Sequence, residues 1–198
     1  MMKLLYVHAL ALFGAIVIVA NSYASEAVPP DVPTPLRIPA GQSVFLEALG
    51  TGVQIYECTD KPDQSSTFQW VFRAPEAVLT DRTGNTIGKH YVGPTWESLD
   101  GSTVVGEIKV RDPGPDQSAI PWLLLTGKST SGNGLFSQTK SIQRLQTVGG
   151  ITPSEPCSSA NAKQVAKVPY TATYYFYRVE NQAPNQSIEE TKTGNATH

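Results

Sequence analysis

The chain has 198 residues, 40 % of them hydrophobic and 16 % charged, with a formal net charge of −2. Near neutrality without a Lys/Arg cluster lacks the electrostatic footprint of a nucleic-acid binder and excludes that class of partner. The length suits one domain with a sizeable core.

Lys3 precedes an apolar run from Leu4 to Ala20, and Ser22 and Ala24 then give a small-x-small cleavage pattern. Residues 1–24 are expected to be a signal peptide, His8 and the small-residue exit arguing against a retained anchor. Their removal takes away Lys3 and no acid, so the remaining chain is one charge more negative. No second apolar stretch approaches spanning length, so a secreted or periplasmic protein without a stable membrane span is expected.

Residues 25–35 form a proline-rich leader; proline lacks an amide donor, so an extended segment outside any sheet core is predicted. From 36 to 179 the dominant signal has period two. "GVQIYEC" alternates Val53, Ile55 and Glu57 against Gln54, Tyr56 and Cys58. "TFQWVFRA" puts Phe68, Trp70 and Phe72 on one face, with Trp70 expected in the core. "NTIGKHYV" sets Ile87, Lys89 and Tyr91 against Gly88, His90 and Val92. "STVVGEIKVR" places Val104, Ile108 and Val110 together, with Glu107, Lys109 and Arg111 on the other side. "VAKVPYTATYYFYRV" alternates aromatics over its second half. Runs rich in β-branched and aromatic residues at this period are half-buried strands. Turn formers separate them in "DRTGN", "LDGS", "DPGPD" and "STSGNG". A single all-β domain follows, an antiparallel sandwich or barrel with little helix. Residues 180–198 read as a disordered tail with two glycosylation sequons, at Asn185 and Asn195.

Cys58 and Cys157 are the only cysteines. Far apart and in a chain bound for an oxidising compartment, they are expected to form one disulfide rather than two free thiols. Neither belongs to a C-x-x-C pair, and no metal-ligand spacing or cofactor motif occurs, so no metal and no cofactor are expected. "DPGPD" offers too few oxygens for calcium.

Chemistry concentrates in "HYVGPTWESLDGS", from His90 to Ser102. Gly93-Pro94 breaks a strand, and Asp100-Gly101 favours a two-residue hairpin. His90 is the one histidine available to a catalytic site, and Glu97 or Asp100 are its candidate acid/base partners. No G-x-S-x-G elbow accompanies it. Trp96 beside the corner and Trp122 in "AIPWLLL" are candidate walls of a ligand cleft, together with Tyr91 and Glu97. Arg144 shares the face of Ile142 unless a bulge intervenes. An arginine on an apolar face needs an anion: Glu47, Glu57, Glu76, Glu97 or a ligand carboxylate.

Six ordered blocks, "GVQIYEC", "WVFRAPEA", "IGKHYVGPTWESLDGSTVVGEI", "IPWLLL", "GLFSQTKSIQRLQTVGG" and "VPYTATYYFY", together resemble an exported bacterial and fungal family catalogued as domain of unknown function 3455. The resemblance spans about Leu36 to Tyr177, and Cys58 and Cys157 sit where the family pattern has cysteines. It brings no activity and no site residue with it. Some relatives carry an automatic malate dehydrogenase label. A dinucleotide site needs a strand, a G-x-G-x-x-G turn and a helix, and this chain has no such unit, so an NAD-dependent dehydrogenase is not expected.

Three functions remain. The favoured one is a binding module for a small molecule or glycan, with a cleft formed from Tyr91, Trp96, Glu97, Trp122 and Arg144. The others are a hydrolase or lyase using His90 with Glu97 or Asp100, and a structural or surface-interaction protein.

Overall fold

The computed structural model describes residues 27–62 and 66–180. The expected signal peptide, most of the tail and both sequons lie outside the described residues.

Eight antiparallel strands run in chain order around a closed barrel: β1 (Gln42–Asp60), β2 (Phe68–Thr80), β3 (Thr86–Tyr91), β4 (Thr95–Ser98), β5 (Thr103–Asp112), β6 (Trp122–Ser131), β7 (Ser141–Gly149) and β8 (Val165–Val179). Between the sandwich and barrel alternatives the fold is therefore a barrel. What closes it is the pairing of β1 with β8, in register from Gln42 opposite Val179 to Glu57 opposite Val165. These are long strands of 19 and 15 residues, and their pairing leaves no free edge in the sheet. The described residues contain no α-helix, only two single 3₁₀ turns, Thr34–Leu36 and Ser159–Asn161.

Period two sorts the side chains into an inside and an outside. The inner cluster includes Leu79, Trp96, Val104, Leu125, Phe136, Ile142, Tyr174 and Phe176. Intervening residues of β6, β7 and β8 point outward, and Leu124, Leu145, Tyr175 and Tyr177 form a second cluster there. The end of the leader and the residues that follow it cover this cluster. Leu36 is fully buried in this outer cluster, Val32 and Ile38 pack beside it, and the Gln143 side-chain amide donates to the Leu36 carbonyl at 2.7 Å. The leader is a strap on the outer wall.

One strand departs from the expected alternation. Register shifts in β5 between Val105 and Gly106 and between Ile108 and Val110 mark β-bulges. Ile108 packs inside, whereas Val110 joins the outer cluster. Arg111, expected on the polar side, is turned back to the cavity wall. A single extra residue reverses every facing beyond it.

The expected disulfide is present. Cys58 near the end of β1 is joined to Cys157 in the β7–β8 connection, Cα to Cα 5.5 Å. The indole N–H of Trp70 donates to the Glu155 carbonyl at 2.7 Å, so the same connection is fastened to β2 as well.

Candidate functional site

In a barrel whose strands run up and down in order, successive hairpins lie at alternate ends. The β2–β3, β4–β5 and β6–β7 connections share one end, and it is filled. Phe136 is fully buried there and tilts against Phe176, ring centroids 4.8 Å apart. Asp100 accepts the backbone N–H of Ser102 at 2.8 Å and of Leu135 at 2.7 Å, tying two of these connections together. The Ser102 hydroxyl and the Leu135 amide hold its carboxyl down to about 2.

The opposite end opens into a cavity of about 700 Å³ bordered by the β3–β4, β5–β6 and β7–β8 connections. That volume lies within the range of small-molecule sites. Its walls are mainly apolar and aromatic, from Tyr56, Phe72, Ile108, Leu123 and Leu125 among others, and none of the described residues lining it is Asp or Glu.

The floor is built on His90 and Trp96, directly opposed on β3 and β4. Their rings stack at 4.3 Å with planes 16° apart, and Tyr174 packs edge-on to Trp96 at 5.4 Å. Trp96 fits because β5 has glycine at 106: a Cβ there would lie 2.9 Å from the indole and 3.0 Å from Leu125. Buried at 1 % exposure, the Trp96 indole N–H has no hydrogen-bond partner. His90 is 3 % exposed, and its Nδ1 lies 2.9 Å from the Thr95 carbonyl. A carbonyl only accepts, so Nδ1 carries the hydrogen and Nε2 is left as the acceptor. Desolvation depresses the imidazole to about 3; the Thr95 hydrogen bond opposes this, and the nearby Arg144 charge adds to it. At neutral pH His90 is uncharged.

Arg144 enters the cavity from β7, between Leu123 of β6 and Tyr174 of β8. Its Nε and Nη2 donate to the Pro121 carbonyl at 3.1 and 2.8 Å, and the Tyr174 hydroxyl favours its charged form. None of the four candidate carboxylates meets it. Glu57 pairs with Arg73, Glu47 with Arg82, Glu97 with Lys89 and Glu76 with Lys167. Burial pushes the guanidinium below its usual range, the Tyr174 and Tyr170 hydroxyls opposing that shift. Arg111 lines the same cavity.

Of the residues singled out from the sequence, the barrel brings together His90, Trp96 and Arg144. Tyr91 and Glu97 are on the outer surface, where the Tyr91 hydroxyl donates to Glu97 at 2.8 Å and Lys89 lies 3.2 Å from the same carboxylate. Trp122 packs in the outer cluster under the leader. Asp100 is at the filled end, so neither Glu97 nor Asp100 meets His90. Trp70, expected in the core, is only half-buried and stands at the cavity mouth with Phe72. Among the described residues no group of three or more His, Cys, Asp or Glu could hold a metal.

Sequence reasoning did not select Gln54, Tyr56, Arg111 or Tyr174 as wall residues. For Gln54 and Tyr56 a signal existed: both share a face with Cys58 in an alternating strand. For Arg111 none did, because its facing depends on the bulges.

The family model described as "Protein of unknown function (DUF3455)" matches residues 39–178, which takes in all eight strands except the last residue of β8. The chain belongs to this family. No curated protein and no solved structure matches it.

Proposed function

We propose that this protein is a small-molecule-binding module whose ligand occupies the open half of the barrel. The observation that carries the reading is the 700 Å³ cavity with its apolar walls and a few convergent polar groups. An eight-stranded barrel is just wide enough either to be filled by its own side chains or to hold one small ligand, and here one half is filled and the other is not. A small molecule suits it better than a glycan, because most of the wall offers no hydrogen-bonding groups to hydroxyls. A hydrolase or lyase built on His90 would need Glu97 or Asp100 beside it, and neither carboxylate shares its face or its end. A purely structural or surface-interaction role leaves the cavity without a purpose. We place the module outside the cytoplasm, a reading that the disulfide and the signal-like start support.

The test uses the neutral fluorophore N-phenyl-1-naphthylamine, titrated into purified protein. Saturable one-to-one binding is expected, weakened about tenfold in Ile108→Trp, which fills the cavity from its wall. The reading is overturned by the absence of saturable binding. It is equally overturned if Ile108→Trp, with native near-ultraviolet circular dichroism, binds as the wild type does.

A further inference from the structure

We infer that the ligand is a small monocarboxylate with an apolar body, its carboxylate seated on the guanidinium of Arg144. This rests on the reading above and adds the chemical class.

Charge is the first argument. A guanidinium inside an apolar barrel loses hydration, and such a group is normally matched by an anion. Arg144 has no carboxylate partner among the described residues, and Glu47, Glu57, Glu76 and Glu97, its candidate partners, each pair with another cation. Among the described residues the cavity wall contains Arg144, Arg111 and Arg73 but no acid. Of these, Arg73 is neutralised by Glu57 at 2.8 Å.

Geometry is the second. A guanidinium has five N–H donors. Two go to the Pro121 carbonyl, which leaves three, enough to offer a ligand a pair. Two donors on one planar group match the two oxygens of a carboxylate. Pro121 and Tyr174 hold the guanidinium in place before anything binds, which lowers the ordering cost of association.

Two further groups fix the polarity of the remaining wall. The Trp96 indole N–H and the Gln54 side-chain amide are buried donors without partners, so the cavity offers surplus donors to an acceptor-rich head group. His90 is neutral and stacked flat on Trp96, and with Phe72, Ile108 and Leu123 it presents an apolar surface to the rest of the ligand. One anionic head and one apolar body are what this wall complements.

Displacement of the bound fluorophore by matched pairs tests the inference: 4-phenylbutyrate against 4-phenylbutanamide, and octanoate against octanamide. In the wild type each carboxylate should displace about tenfold better than its amide, a preference that Arg144→Gln abolishes and Arg144→Lys partly retains. Equal displacement by acid and amide in the wild type overturns the inference while leaving the binding module standing, and it needs no variant to fold. A preference that persists unchanged in natively folded Arg144→Gln overturns it too. Fluorophore binding that no carboxylate displaces has the same consequence. Failure of the fluorophore itself to bind removes the underlying reading.

Discussion

His90 makes the fold sensitive to acid in a way that can be worked out from its surroundings. Burial holds the folded imidazole at about 3, against 6.5 when exposed. Because the folded value is the lower one, the unfolded chain binds more protons between these two limits. Stability is therefore complete above about pH 6.5 and falls as pH drops toward 3. The limiting slope is a little over 1 kcal/mol per pH unit, so going from about pH 7 to about pH 4.5 should remove on the order of 2–3 kcal/mol. His90 is only 3 % exposed, so solvent screening takes little from this figure. The comparison variant is His90→Asn, whose side-chain N–H can take over the Nδ1 hydrogen bond to Thr95 without a titrating ring. Urea unfolding of both proteins at the two pH values isolates the histidine, because the exposed carboxylates are common to them. The wild type should lose on the order of 2–3 kcal/mol more than the variant. Equal losses in the two proteins would refute the reasoning, as would a His90 imidazole that titrates by NMR above pH 5 in the folded state.

Three other outcomes follow from the packing. Reducing the Cys58–Cys157 bridge opens a loop of 99 residues in sequence; unfolding of Cys58→Ala/Cys157→Ala should show a loss of about 2–5 kcal/mol. Gly106→Ala would place a methyl group 2.9 Å from the Trp96 ring, and denaturant unfolding should record a cost of about 1–3 kcal/mol. Leu36→Ala should lower stability by about 2–5 kcal/mol, as for a core leucine; a change within 0.5 kcal/mol would mean that the leader is not fastened to the outer wall.

The strands were legible because period two survives in a sheet with one apolar face, and "TATYYFY" or "QIYEC" can hardly be read otherwise. Closure was not legible, since it depends on the pairing of β1 with β8, which no local pattern encodes. The site was readable only in part. Parity already separated His90 from Tyr91, and parity within "TWES" separates Trp96 from Glu97. Grouping Tyr91 and Glu97 with Trp96 ignored that rule, because the Gly93-Pro94 corner hid where the next strand resumes. Arg144 followed Ile142 inward as period two requires, whereas Arg111 did not follow it, because the bulges of β5 reset its facing. Trp70, expected in the core, stands half-buried at the cavity mouth, whereas Trp96 is fully buried and lines the cavity floor. A tryptophan's surroundings depend on whether its part of the strand lies at the filled or the open end, which is a property of the whole barrel.

The two ends of the barrel follow different rules, and the contrast bears on what the open end is for. At the filled end, Leu79, Val104, Phe136 and Phe176 are fully buried and bring the stabilisation expected of apolar side chains, roughly 1.5–3 kcal/mol each for residues of this kind. Toward the open end the wall includes a guanidinium without a carboxylate partner, a histidine that must stay neutral, and an indole and an amide with unpaired donors. Each of these lowers stability relative to an apolar side chain of the same size. Leucine or methionine at 144 would pack against Leu123 and Tyr174 without any desolvation penalty. Unpartnered buried polar atoms occur toward both ends, on Gln42 and Thr139 as well as on Gln54 and Trp96, so what sets the open end apart is the guanidinium without a carboxylate partner beside a histidine that stays neutral.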